Sequence, residues 1–407
     1  MLLEYTCSNY KSIKDRVVFS LLSDKNDHSH SENVVPCSNK KVLRSSIIYG
    51  ANGSGKTNFL DSIGFMAALV SQSIHKQPGE IIPQFPHKLS EHNVPTVFKV
   101  QFVRHGIRYS YGFSILDNFI DGEYLYYFPK KRRVKIFERD GMRIIPGDRY
   151  KKAFDVSLGV LKENRLFLSC AANYTNLSEI EEAFLFFIQD IVIYNKDINN
   201  WTEYSINLMK KNKAIKQRFI ELLQQFGTGI KNISSKTEKV KIDAEPIPNE
   251  LKGILPSEVN RITVKIDYGS FQTDLSSEES DGIQKLFELL CPIIDILAND
   301  KVLLCDELEN SLHESLVYQI IQMFHQEGSQ AQLIFSTHDT SLLSTDIFRR
   351  DQIWFTQLTK ERATDLYSLI EFKNLGELEN IEKGYIAGKY GAIPFLNTPA
   401  VNQFSER

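Results

Sequence analysis

The 407-residue chain is poor in cysteine: Cys7, Cys37, Cys170, Cys291 and Cys305 lie far apart and form no CxxC pair. That spacing argues against a disulfide framework, a zinc ribbon or a zinc hook. Long apolar runs are missing as well, the best of them, Ala183 to Ile193, being broken by Gln189 and Asp190. A membrane span is therefore not expected. The opening MLLEYTCSNYKS carries an acid at position 4 and lacks a leader pattern, so the expected address is the cytoplasm. Neither sign of charge dominates: 48 Lys and Arg stand against 51 Asp and Glu, a net charge of −3. No global positive field then draws the chain onto nucleic acid or an anionic membrane. Internal repeats, low-complexity tracts and heptads sustained over four repeats are also lacking, which excludes a long coiled-coil arm. What is present, 42% hydrophobic and 24% charged residues, is the mixture of a globular protein of two or three domains.

The pattern along the chain is uneven. LLEYTCSNY, RVVFSLL and LRSSIIY read as strands, the last a continuous apolar run suited to a buried parallel strand. A glycine loop follows, then a helix announced by Phe59, Leu60, Ile63, Met66, Ala67 and Val70 at three and four residue spacing. From Thr96 to about Ile145, short aromatic and β-branched runs separated by His-Gly and Asp-Gly pairs predict an antiparallel meander. From Asp155 to Lys239 the spacing predicts helices, with Ile180, Phe184, Phe187, Ile188 and Ile191 on one face. KIDAEPIPNELKGILP reads as a linker. Strands from Arg261 to Tyr268 and Phe271 to Leu275, a helix from Ser280, KVLLCD, a helix from Ser311, QLIFST and a strand near Gln352 to Gln357 then alternate as in a doubly wound sheet. The expected division is an N-terminal lobe (1–75), a β meander (76–150), a helical insertion (151–260) and a C-terminal lobe (261–407).

Three motifs carry chemistry. Gly50-Ala-Asn-Gly-Ser-Gly-Lys56-Thr57 fits GxxxxGK[ST] between a strand and a helix, so Asn52, Gly53, Ser54, Gly55, Lys56, Thr57 and Asn58 are candidate phosphate-binding positions. Backbone N–H groups and the helix dipole receive phosphate oxygens, Lys56 reaches the β and γ phosphates, and the Thr57 hydroxyl ligates Mg²⁺. Val302-Leu-Leu-Cys-Asp306-Glu307 is a buried strand ending in two acids. Asp306 is the expected metal partner, and Glu307 the group that polarises the attacking water. Gln332-Leu-Ile-Phe-Ser-Thr-His338-Asp339 ends a third strand in a histidine placed to sense a γ phosphate. The implied ligands are ATP and Mg²⁺.

These motifs, with LENSLH after the acids and STHD at 336–339, resemble the ABC-class ATPase heads of the SMC, Rad50 and RecF type. SNYKSI, GANGSGKTNFLDSI, ENRLFLSCAAN, DELENSLH and GKYGAIPFL are similar, more narrowly, to bacterial RloA and abortive-infection ATPases. The resemblance implies an α/β fold, a P-loop ATPase head of mixed and parallel sheet with flanking helices, carrying the meander and the helical insertion. It also implies a homodimer in which a signature loop completes the partner's ATP site. Ser280 and Gly282 stand at the matching place, although LSSEESDGIQ has acids where that loop has glycines. Asn9-Tyr10-Lys11-Ser12 resembles the segment that approaches the nucleotide, with a plain β turn as the alternative. Gln101 is one candidate for a metal-facing glutamine.

The function implied by the resemblance is an ATP-hydrolysing dimeric switch in bacterial anti-phage defence, controlling a nuclease or toxin partner. The alternatives are a DNA-repair clamp of RecF or Rad50 type and an overcoming-lysogenisation-defect type ATPase. The 69 residues after His338 show no DxD spacing, so nuclease activity is expected in a partner. Two basic runs, Lys130 to Arg133 with Lys135, and Lys210, Lys211, Lys213, Lys216 and Arg218, could follow a nucleic-acid backbone. With no aromatic stacking platform evident, a solvated hairpin tip and helix face are the plainer reading. His28 and His30 are expected to hold no ligand, and His313 to cap a helix.

Overall fold

A computed structural model describes residues 1–37, 40–194, 201–241, 258–326, 328–373 and 380–393. The expected linker falls almost wholly outside these residues, as does the end of GKYGAIPFL. The chain divides into two compact units: 1–194, 299–308 and 318–407 in the first, 195–298 and 309–317 in the second.

The first unit is built on two sheets. One has six strands in the order Ile191–Tyr194, Val302–Cys305, Gln332–Ser336, Ser45–Gly50, Ile353–Leu358, Thr364–Ser368. The first five run parallel and the last antiparallel. Strands 302–305, 332–336 and 45–50 are buried along their whole length, which is why they read as unbroken apolar runs. Helix Lys56–Gln72, about 25 Å long at ~1.5 Å per residue, leaves the Ser45–Gly50 strand through the glycine loop. All six of its expected apolar positions are buried, each stabilising by about 1.5–3 kcal/mol for a large side chain.

The other sheet has seven antiparallel strands, in the order Arg143–Pro146, Val134–Asp140, Phe119–Phe128, Ile107–Leu116, Thr96–Arg104, Leu2–Ser8, Val17–Ser20. The predicted meander is present, but the strands at 2–8 and 17–20 complete it, so the expected boundary at 75/76 cuts through one sheet. Tyr5 and Cys7 alternate inward with Phe98 and Val100 of the facing strand, and that shared apolar face decides the pairing. One turn also differs. Asp121-Gly122 lies within a strand, and the chain reverses at Asp117-Asn118, both at positive φ as a type I′ turn requires.

The expected helical region from 155 to 239 is not uniform. Helices at Asp155–Val160, Phe167–Tyr174 and Ser178–Leu185 belong to the first unit, where Phe167, Leu168, Cys170 and Ile180 enter its core. The predicted helix through Ile191 stops at Leu185, loosens into a π turn at Phe186–Asp190, and becomes the edge strand Ile191–Tyr194. The β-branched Ile-Val-Ile run pairs with Val302–Cys305, and that outweighs its helical spacing.

The ENRLFLSC segment fastens the far end of the phosphate-loop helix. Ser169 Oγ donates to Val70 O at 2.6 Å, and Asn164 Nδ2 donates to the carbonyls of Gln77 and Glu80 at 2.8 and 2.6 Å. The amides of Phe167 and Leu168, at a helix N-terminus, donate to the buried Glu123 carboxylate at 2.6 and 2.9 Å. That carboxylate lies 3.5 Å from Arg139. Burial still pushes the Glu123 carboxyl above its usual range.

The second unit holds helices Trp201–Lys211, Lys213–Gln225 and Asp281–Ala298. Phe219 meets Phe287 edge-on at 5.4 Å, and Tyr204 OH donates to Asp295 at 2.9 Å. Its strands Asn232–Lys241, Glu258–Asp267 and Gln272–Asp274 form one antiparallel sheet. The first of these replaces a predicted helix, because its ten-residue ladder to 258–267 is a contact no local spacing records.

Candidate functional site

In the six-stranded sheet, the strands ending at Gly50, Cys305 and Ser336 are parallel, and the last lies between the other two. All three motifs therefore emerge at one edge, outside the carboxyl ends of the strands, where ligands of open α/β sheets bind.

The loop's glycines are needed for different reasons. A Cβ on Gly50 would lie 2.3 Å from Thr356 Oγ1, because the loop's entry is packed against the neighbouring strand. Gly55 has φ 108°, and a Cβ there would sit 2.0 Å from Thr364 Oγ1. Only glycine tolerates both that backbone conformation and that approach. Asn52 and Gly53 are exposed at the tip while Ser54 is buried, its hydroxyl 2.6 Å from that of Thr356. Lys56 Nζ donates to the loop carbonyls Gly50 O at 2.8 Å and Ala51 O at 3.3 Å, so the ammonium lies over the cradle.

The acids come to this loop across 249 positions of sequence. Thr57 Oγ1 donates to Asp306 Oδ2 at 2.7 Å. The other carboxylate oxygen, Oδ1, accepts from the Ser336 hydroxyl. The same hydroxyl oxygen accepts from the Glu307 amide at 2.9 Å, and Leu308 N donates to Ser336 O at 3.2 Å. Glu307 has φ 50°, a left-handed conformation that costs a non-glycine residue about 1–2 kcal/mol. The Ser336 bonds hold it there and break the strand direction at this residue. His338 Nε2 is 3.8 Å from Glu307 Oε1, with the two side chains 39% and 50% exposed, so both are open to a substrate from solvent. Lys56, Thr57, Asp306, Glu307 and His338 thus belong to one edge, as their motifs predict.

A hydroxyl and a carboxylate oxygen 2.7 Å apart suit a hard divalent cation, and Thr57 with Asp306 therefore fits magnesium. Among the described residues no group of three or more His, Cys, Asp and Glu could hold a metal by itself. A cation here would complete its shell with phosphate and water oxygens, as Mg²⁺ commonly does.

Other predicted positions are placed elsewhere. Asn9 is buried in a joint, accepting from His87 N at 2.9 Å and donating to Val94 O at 2.7 Å. Tyr10 and Ile13 exchange backbone bonds in a β turn. Ser12, by contrast, reaches the site: Asn58 Nδ2 donates to its hydroxyl oxygen at 2.7 Å, and that hydroxyl lies 2.7 Å from Thr364 Oγ1, whose own hydrogen goes to Ser54 O. Lys11 pairs with Asp61 on the phosphate-loop helix at 2.7 Å. Gln101 lies in the seven-stranded sheet and donates to Glu4 at 3.1 Å, with no bond to Thr57 or Asp306. Ser280 and Gly282 stand in the second unit at the start of helix Asp281–Ala298, where Ser280 Oγ accepts from Ile283 N at 3.4 Å. His313 Nδ1 accepts from Ser315 N at 3.3 Å, a capping contact as predicted.

Sequence reasoning missed Ser336, Thr356 and Thr364 as supports of the site. Ser336 lay within a quoted motif; the two threonines carry no local signal, because strand order alone brings them to the loop.

The family described as "AAA domain, putative AbiEii toxin, Type IV TA system" matches residues 45–344. No curated protein matches the chain. Among solved structures, "Crystal structure of the SmcHead bound to the C-winged helix domain of ScpA" is similar at 14% identity over 90% of this chain and 97% of that one, TM-score 0.45. The SMC head domain from Thermotoga maritima is similar at 12% identity over 90% and 98% of the two chains, TM-score 0.41. Among the described residues no helix is long and apolar enough to cross a membrane.

Proposed function

The chain belongs to the AAA-domain family of putative AbiEii toxins of type IV toxin–antitoxin systems, and from that premise we propose that it hydrolyses ATP as a dimeric switch in anti-phage defence. The observation that carries the chemistry is the junction of Thr57, Asp306, Ser336 and Glu307, which sets a metal-binding pair beside a carboxylate fixed in a non-strand conformation. Bound there, Mg²⁺ supplies charge neutralisation to the β and γ phosphates. Lys56 exchanges its loop carbonyls for phosphate oxygens, and the loop amides and helix N-terminus receive the rest of the triphosphate. Glu307 orients the attacking water and takes its proton, with His338 beside it to register the γ phosphate. The defence role and the nuclease or toxin partner rest on the family's description and on the resemblance to abortive-infection ATPases. Head-to-tail pairing through Ser280 and Gly282 belongs to the same proposal.

Phosphate release from ATP–Mg²⁺ by the purified chain tests the chemistry. Glu307→Gln should bind ATP but release phosphate at least about 100-fold more slowly, whereas Lys56→Ala should lose nucleotide binding. Hydrolysis at the wild-type rate in the Gln variant would remove Glu307 from the reaction.

A further inference from the structure

The basic run at 130–135 gains a context in the fold that its sequence does not display. Strand Phe119–Phe128 alternates buried Glu123, Leu125 and Tyr127 with Tyr124, Tyr126 and Phe128 on the opposite, half-open face of the seven-stranded sheet. Cross-strand register sets cations on the same face. Lys99 lies in the row that runs through Gly112 to Tyr124, Lys135 lies beside Tyr126, and Arg108 lies beside Phe128. The Arg108 guanidinium sits 3.7 Å over the Phe128 ring, and that of Arg133 sits 4.8 Å over Tyr126. The Tyr124 ring lies against Gly112, where a Cβ would come within 2.8 Å of it.

On this face is a cleft of about 170 Å³ whose lining includes Tyr124, Ser110, Gln101, Glu4, Arg16 and Lys99. That is well below the ~300 Å³ of clefts that enclose a whole small molecule. It suits one planar group projecting from a longer ligand. Acids share this face, Glu4 lining the cleft and accepting from Gln101, Glu138 accepting from Tyr126 and Lys135, and Asp140 standing exposed in register with Gly122, but the cations Arg16, Lys99, Arg108, Arg133 and Lys135 outnumber them. Arg16 and Lys99 are exposed and form no ion pair among the described residues.

We propose that the outer face of the seven-stranded sheet, centred on Tyr124, Tyr126, Phe128, Arg108 and Lys99, binds single-stranded nucleic acid. Unstacked bases lie on the rings and on ring-backed guanidinium planes, one base enters the cleft, and the free cations follow the phosphates. Bases can lie on the rings only when they are unstacked from a duplex, so the single strand is the occupant that uses both the rings and the charge. The site is independent of the nucleotide chemistry at the other sheet.

Fluorescence anisotropy with the full chain tests this, using labelled oligo(U) and oligo(dT) of about 20 nucleotides and a duplex of the same length, at about 50 and 200 mM salt. The expected result is single-strand binding that weakens with salt and exceeds duplex binding. Tyr126→Ala and Arg108→Ala should each weaken it roughly fivefold to a hundredfold, with circular dichroism reporting the fold. Lys99→Glu, an exposed change that leaves the packing alone, should weaken it too. The oligo(U) and oligo(dT) arms tell RNA from DNA as the source. Absence of single-strand binding at low salt, equal binding of the duplex, or loss on Lys210→Glu/Lys211→Glu with the sheet variants unaffected would each overturn the proposal.

Discussion

Ser336 shows how one hydroxyl can set two functional carboxylates. It gives its hydrogen to Asp306 and accepts that of the Glu307 amide, so its removal frees the metal-facing acid and relaxes the strained residue beside it. Ser336→Ala should lower kcat for ATP about tenfold, equivalent to about 1.4 kcal/mol, with KM held within about twofold. Ser336→Thr, which keeps the hydroxyl, should restore it. A variant with normal kcat and raised KM would instead assign Ser336 to ground-state binding. At this scale the phosphate loop was legible, because Gly55 and Lys56 answer to local requirements of backbone and charge. The partnership of Ser336 with Asp306, or of Thr364 with Ser12, depends on which strands are neighbours, and nothing near those residues states it.

Helices and strands were legible where their contacts are local or their burial complete. The helix Lys56–Gln72 follows from its three and four residue periodicity, and the strands at 45–50, 302–305 and 332–336 from short, unbroken apolar runs. The strands at 191–194 and 232–241 do not, since each is made a strand by a distant partner. Helix Glu314–His325 adds a contact with a pH signature. His325 is buried, its Nε2 is 2.7 Å from Ser45 Oγ on the phosphate-loop strand, and that hydroxyl accepts from Gln352 Nε2 at 2.7 Å. The hydroxyl's hydrogen is then left for the imidazole, which must accept and so be neutral. Burial pushes its pKa from 6.5 down to about 4. Below pH 6.5 the unfolded chain takes up a proton that the folded one refuses until about pH 4, so stability is whole above 6.5 and falls across that window. Chemical denaturation of wild type and His325→Gln should differ in their loss between about pH 7.5 and 4.5 by about 2.5 kcal/mol, the wild type losing more. Parallel losses would mean that His325 titrates normally.

For the whole molecule, the architecture explains why motifs at 50–57, 306–307 and 336–338 act together although long stretches of sequence part them. Five strands of the seven-stranded sheet, the helices to residue 190 and residues 195–298 of the second unit fall, in sequence, between the parallel strands Ser45–Gly50 and Val302–Cys305. Motif spacing made that split readable. It could not say that strands 2–8 and 17–20 close the antiparallel sheet, because a strand's sheet is chosen by its apolar face and not by its place in the chain. The signature-like Ser280 and Gly282 lie in the second unit, on a capped helix start flanked by Glu278, Glu279 and Asp281. Those acids oppose a γ phosphate, so the trans contact has to be decided by assembly rather than by motif. The dimeric switch is therefore tested most directly by the size of the Glu307→Gln protein, measured by light scattering with and without ATP–Mg²⁺. It predicts a monomer without nucleotide and a stable dimer or larger assembly with it, lost again in Glu307→Gln/Lys56→Ala; a monomer under every condition, with ATP demonstrably bound, would contradict the dimeric switch.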